Sequence, residues 1–316
     1  MGKSKKQVRK STYGIIILSV FSVILLGFTV NNFLIIDKEK SKNKGLNVTY
    51  SELKNEKSEK LKIKEELSKK YDEANNVDDK ISKMRDEVFD LAKKVEDRIG
   101  KGETKYKIAY LTFDDGPYHS TDTVLETLKK HKVKATFFTI GLNKDICFDN
   151  RNYSCKETYK KIVDNGHTIA NHTYSHQIFY GLYSSTNSFM EQVKKQENMI
   201  KERTGVTTNI LRFPGGSATA NALCGYNCKE NIIKQLKENS YGWVDWTAQD
   251  GDGGSLTSYD VGWKNFTGSI NENIEVVLFH DYNNITISLL PDAIDYLEKK
   301  DYILLPLFHD SVKVNK

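Results

Sequence analysis

Three separated segments carry side chains that could share one cation. Thr112-Phe-Asp-Asp-Gly116 supplies two adjacent carboxylates, His172-Thr-Tyr-Ser-His176 supplies two imidazoles four residues apart, and Leu278-Phe-His-Asp281 supplies a third imidazole. A zinc-type ion takes about four N/O/S ligands, and a catalytic one keeps a position open for water. One carboxylate with His172 and His176 could bind the ion, which leaves a carboxylate and His280 for proton transfer. Each segment alone has an ordinary explanation. Asp114-Asp115-Gly116-Pro117 has turn composition, His172 and His176 could be surface residues, and His280 could be a satisfied core histidine. Their conjunction is what points to chemistry.

The elements that would position these residues read as alternating strands and helices. Strands are predicted over 107–113, 134–140, 167–171, 210–213, 241–245, 275–280 and 302–308. Helices are predicted over 121–131, 157–164, 187–203 with a stop at Gly205, 229–238 and 289–299. This alternation implies an α/β fold with a parallel sheet, open or closed into a barrel. In such folds ligands bind beyond the carboxyl ends of the strands. Asp114, Asp115, His172, Arg212 and His280 all fall at or just after such an end. The spacing of His172 and His176 fits one face of a helix or a tight loop.

The rest of the chain divides by composition. The net charge of +5 equals the five cations Lys3, Lys5, Lys6, Arg9 and Lys10, because no acidic residue precedes Asp37. The remainder is neutral overall, which gives no basic face for nucleic acid. Residues 1–13 read as a basic cytoplasmic tail and 14–36 as a transmembrane anchor. No small-residue cleavage site follows the apolar run, so an uncleaved anchor is preferred over a signal peptide. The N-terminus would be cytoplasmic and the following residues extracellular, in a single-pass cell-membrane protein. Residues 37–104 read as a charged helical stalk or linker. Val77, Ile81, Met84, Val88, Leu91 and Val95 follow a heptad seam, so a coiled-coil homodimer is open. Residues 105–316 read as the catalytic domain.

From about Ile108 to Phe308 the chain resembles the polysaccharide deacetylase family, also called the NodB-homology domain or carbohydrate esterase family 4. Thr112–Gly116, His172–His176, Arg212-Phe-Pro-Gly-Gly216 and Leu278–His280 match four family motifs in order. The resemblance implies a distorted (β/α) barrel of seven or eight units and metal-dependent N-deacetylation of amino sugars. It implies that Asp115, His172 and His176 bind one divalent metal, zinc, with cobalt or nickel as substitutes. Asp114 would be the general base, Arg212 would orient it, and His280 would be the general acid. The Gly215 backbone N–H would help hold the oxyanion, and Pro214, Trp246 and Leu278 would contact substrate.

The fourth family motif, Asp-Trp, is where the sequence departs. Asp245-Trp246 has the right letters, but Asp252 has the better spacing to His280 and places Gly253 where the Trp should be. Asp252 is therefore expected to support His280, with Asp245 as the alternative. Cys147, Cys155, Cys224 and Cys228 allow three pairings. Their short separations favour Cys147–Cys155 and Cys224–Cys228, and a structural zinc site of four thiolates is the rival. An anchored extracellular deacetylase would meet peptidoglycan, and the intact Asp-Asp pair favours N-acetylglucosamine over N-acetylmuramic acid, with lysozyme resistance as a consequence. Deacetylation of chitin oligosaccharides or an exopolysaccharide, O-acetyl xylan hydrolysis, and an inactive glycan-binding module are the alternatives.

Overall fold

The computed structural model describes residues 77–141 and 155–315. The proposed anchor (14–36), the first part of the stalk and the Cys147–Cys155 pairing lie outside the described residues. No described helix is long and apolar enough to cross a membrane. The chain divides into two compact units, Met1–Lys94 and Val95–Lys316. Of the first, helix α1 (Val77–Gly100) is described, and its residues from Val95 onward belong to the second.

The second unit begins before the expected start at residue 105, and Glu96 shows why. Glu96 is buried, and its carboxylate accepts from Tyr110 Oη at 2.6 Å, Ser311 Oγ at 2.6 Å and the Val312 N–H at 2.9 Å. Those donors come from the first strand and the C-terminal segment, so one residue of the supposed linker ties both ends of the domain together.

Eight parallel strands form one sheet in the order β5-β4-β3-β2-β1-β7-β6, with β8 also paired to β1. They are β1 (Lys107–Asp114), β2 (Thr136–Thr139), β3 (Thr168–Asn171), β4 (Ile210–Leu211), β5 (Gly242–Trp243), β6 (Ala248–Gln249), β7 (Ile274–His280) and β8 (Tyr302–Leu305). The helices between them are α2 (Thr121–His131), α3 (Cys155–Asp164), α4 (Thr186–Thr204), α5 (Gly216–Cys224), α6 (Tyr226–Glu238), α7 (Tyr259–Ser269) and α8 (Asn284–Lys299). The order matches the expected distorted barrel, but among the described residues β5 and β6 do not pair. Trp243 of β5 instead bridges antiparallel to Asn315, so the sheet stays open between β5 and β6.

The central strands are buried along nearly their whole length, as expected for parallel strands covered on both faces. The period of two sorts β1. Ala109, Leu111 and Phe113 enter the main apolar cluster with Phe137, Phe266 and Phe279. Thr112 and Asp114 share the opposite face, which also receives the guanidinium of Arg212. A second cluster packs Phe189 of α4 against Phe213, with Tyr183 stacked beside them.

Helix ends follow local chemistry. Ser185 caps α4 by accepting the Ser188 N–H, and Gly205 ends it at φ +76° with its N–H on the Lys201 carbonyl. Asn283 caps α8 through the N–H groups of Ile285 and Thr286. The spacing did not reveal α5, α7 or β6. Gly262, Thr267 and Gly268 give α7 poor intrinsic propensity, and tertiary packing supplies it, with Phe266 fully buried.

Candidate active site

The site is assembled at the carboxyl ends of β1, β3, β4 and β7 and in the turn after β6. Asp114 is the last residue of β1 and lies in register with His280, the last of β7. Asp115 follows at φ +69°, and this left-handed step turns consecutive carboxylates in different directions. Gly116 comes next because Asp281 packs against it. A Cβ there would stand 2.5 Å from Asp281 Oδ2.

His172 directly follows β3, and the two histidines meet through a loop rather than a helix. Thr173 and His176 adopt φ +67° and +50°, and the rings lie 4.9 Å apart. Of the two geometries that the spacing allowed, the chain adopts the tight turn. Asp115 Oδ1 is 3.4 Å from His172 Nε2 and 3.1 Å from His176 Nε2. One ligand atom from each of Asp115, His172 and His176 lies within 4.8 Å of the others. His172 Nδ1 faces the Arg212 carbonyl at 2.8 Å, which fixes the tautomer that presents Nε2 as a lone pair. Burial pushes the Asp115 carboxyl up, but the hydrogen bond to His172 and the charges of His176, His172 and His280 outweigh it and hold it below the usual carboxylate range. Burial lowers His176, against the opposing pull of Asp115, and so favours the neutral ring that a metal needs. An oxygen and two imidazole nitrogens at these distances fit a borderline divalent cation of the zinc type.

Asp114 is held separately. Arg212, fully buried, donates from Nη1 to Asp114 Oδ1 at 2.8 Å and to Thr112 Oγ1 at 2.7 Å. Its Nε and Nη2 donate to the Val244 and Asp245 carbonyls, each at 3.2 Å, and its guanidinium lies 4.2 Å from the Phe138 ring centre. A buried guanidinium needs such a set of acceptors to offset its desolvation.

His280 is flanked by Asp252. Asp252 Oδ1 lies 2.7 Å from His280 Nδ1, and Oδ2 accepts the His280 backbone N–H at 2.6 Å. Burial lowers the imidazole, but the hydrogen bond and charge of Asp252, with Asp115 and Asp114 behind, raise it to about 9. Asp245 sits elsewhere. Its carboxylate accepts the N–H and Oγ of Ser217, at 3.0 Å and 2.6 Å, in the first turn of α5. Of the two candidates, Asp252 is the one against His280.

The remaining expected residues surround this centre. Gly215 precedes α5 at φ +72°, Pro214 is buried with its carbonyl on Tyr183 Oη at 2.8 Å, and Leu278 is buried in β7. Trp246 is half-buried, 5.9 Å from Arg212 by ring centre. The structure adds Thr112, Asp250 and Thr286, which no spacing singled out because each acts through a neighbour. The Cys224–Cys228 disulfide is formed, at the end of α5 and the start of α6.

Residues 101–228 match the family model for polysaccharide deacetylase. The chain carries a polysaccharide deacetylase domain. The domain is similar to that of a peptidoglycan-N-acetylglucosamine deacetylase from Bacillus cereus, 29% identical over 201 residues, covering 62% of this chain and 67% of the relative. A peptidoglycan-N-acetylmuramic acid deacetylase from Bacillus subtilis is 26% identical over 257 residues, covering 75% and 50%. These matches span about half to two thirds of each relative's length. Among solved structures, the catalytic domain of a peptidoglycan N-acetylglucosamine deacetylase from Eubacterium rectale superposes with a TM-score of 0.59 at 29% identity, covering 66% of this chain and 92% of that one. The family match covers Thr112–Gly116, His172–His176 and Arg212–Gly216, three of the four motifs at strand ends, and stops before Leu278–His280.

Proposed function

We propose that this chain is a metal-dependent deacetylase that removes N-acetyl groups from N-acetylglucosamine residues of peptidoglycan outside the cell. The observation that carries the reading is the Asp115–His172–His176 cluster beside an Arg-held carboxylate and an Asp-held imidazole. Asp115, His172 and His176 would hold the ion. A bound divalent cation lowers the pKa of water to about 7 and polarises the carbonyl of a poor electrophile.

The chain's own groups supply the rest. Asp114, fixed by Arg212, accepts the proton of the attacking water. The Gly215 N–H would donate to the developing oxyanion, a contribution of about 3–4 kcal/mol for such a donor. His280, raised to about 9, is protonated at neutral pH and gives its proton to the departing amine. Pro214, Trp246 and Leu278 would border the acetylated sugar. The apolar run 14–36 and the charged segment after it would anchor the domain to the membrane and space it from the surface, with the N-terminus cytoplasmic. Zinc is the proposed native ion.

Acetate release from purified peptidoglycan, with mass spectrometry of the fragments, tests the reading. The expected result is loss of N-acetyl groups from glucosamine, abolished by chelation and restored by zinc. Asp115→Ala and His172→Ala are expected to lose bound metal in elemental analysis as well as activity. Release only from chitin oligosaccharides or xylan would refute the peptidoglycan assignment. Release that survives exhaustive chelation would refute the metal-dependent mechanism.

A further inference from the structure

Behind His280 lies a row of oxygens that is one hydrogen short unless a carboxyl carries it. Asp250 and Asp252 follow β6, and Thr286 stands in the first turn of α8; all three are buried. Thr286 Oγ1 is 2.7 Å from Asp250 Oδ2 and 2.8 Å from Asp252 Oδ2. A threonine hydroxyl has one hydrogen and can donate to only one of them. The other oxygen–oxygen contact needs a hydrogen of its own.

The remaining partners decide where that hydrogen sits. Both oxygens of Asp252 already accept, Oδ2 from the His280 backbone N–H and Oδ1 facing His280 Nδ1. Asp250 Oδ1 accepts the Asp252 N–H at 3.1 Å. Asp250 Oδ2 has Thr286 as its hydrogen-bond partner among the described residues. It is the oxygen left to carry a proton.

We propose that Asp250 is a neutral carboxylic acid that donates to Thr286, whose hydroxyl then donates to Asp252 and holds it as the carboxylate facing His280. The relay runs Asp250–Thr286–Asp252–His280. Asp250 and Thr286 are positioning residues, since neither touches the reacting atoms. The charged group facing Asp250 is Asp252, from the same turn. The groups facing it from α8 and α7 are Thr286 and, on the Asp250 backbone carbonyl, Asn265, both neutral. Burial first, then the Asp252 charge, raises the Asp250 carboxyl to about 7, in agreement with the geometry.

The proton can be read without turnover, so failure of the relay is distinguishable from failure of the proposed deacetylase activity, on which only the kinetic arm rests. Infrared difference spectra of the full chain against Asp250→Asn, recorded below about pH 7, should contain a protonated-carboxyl stretch that the variant lacks. A carboxyl ionised in the unfolded chain near ~3.9 but protonated when folded takes up a proton on folding. The unsubstituted chain should therefore lose stability relative to Asp250→Asn as pH rises from about 4 to about 7. If Asp250→Asn does not fold, Thr286→Val serves, because removing the acceptor must move the carboxyl stretch without abolishing it. For the kinetics, Thr286→Val should lower kcat about tenfold with KM unchanged, while Thr286→Ser restores it. A missing carboxyl stretch, a relative stability that is flat or reversed with pH, or an unaltered kcat in Thr286→Val would each overturn the relay.

Discussion

At the residue scale, the site divides its labour by giving each ionisable group its own partner. Asp114 and Asp115 are neighbours in sequence, yet one is held by Arg212 and the other by two imidazoles. Each carboxylate thus has its own partner set at close range instead of facing its neighbour unshielded. His280 is set the other way, toward its cation, by Asp252 against the effect of burial. A raised histidine contributes stability that is fully present below its unfolded value of about 6.5 and is lost as pH rises through about 9. The same group donates the proton, so kcat/KM should fall as pH rises through about 9. Asp252→Asn removes the group that raises the imidazole. It should move that alkaline limb to lower pH and reduce kcat at least about tenfold in a pH–rate series. Asp245→Asn should leave the limb in place and cost about 1 kcal/mol of stability through the start of α5, measured by denaturant unfolding. A shifted limb in the second variant and not the first would reverse the assignment of these two residues.

At the element scale, short strands end where chemistry begins, and the turns after them do the aiming. β4 and β6 have two residues each, yet Arg212 and the Asp250–Asp252 turn follow them directly. The turn after β6 also explains the departure at Gly253. A Cβ on Gly253 would lie 3.0 Å from His280 Cε1, so the backbone stands where a larger residue would press on the imidazole. Gly253→Ala should therefore displace His280 and lower kcat about tenfold while bound metal is retained, checked by kinetics beside elemental analysis. Full activity in that variant would show that the ring can move at no cost.

At the scale of the whole molecule, the domain is closed by a residue from outside its expected boundary. Glu96 satisfies Tyr110, Ser311 and the Val312 N–H inside the protein. A fragment beginning at Lys105 would leave the buried hydroxyls of Tyr110 and Ser311 and the part-buried Val312 N–H without their acceptor. It should be about 3 kcal/mol or more less stable in urea unfolding than one beginning at Val77, with Glu96→Ala in the longer chain falling near the shorter one. Equal stability of the two fragments would mean that water replaces Glu96 without cost.

Residue order was enough to name the candidate chemical groups and their approximate address at strand ends. Asp114, Asp115, His172, His176 and His280 follow apolar runs whose alternation with helices brings strand ends together, because side-chain period and burial are local properties of the chain. Tertiary structure alone decided that the paired histidines sit on a loop and that Glu96 belongs to the domain, and it sets Asp252, which the spacing already preferred to Asp245, against His280. It also brought Asp250 and Thr286 to one hydroxyl's reach. Those contacts join residues distant in sequence or turn on backbone dihedrals, and hydrogen-bond geometry of that kind leaves no periodic trace in the order of the residues.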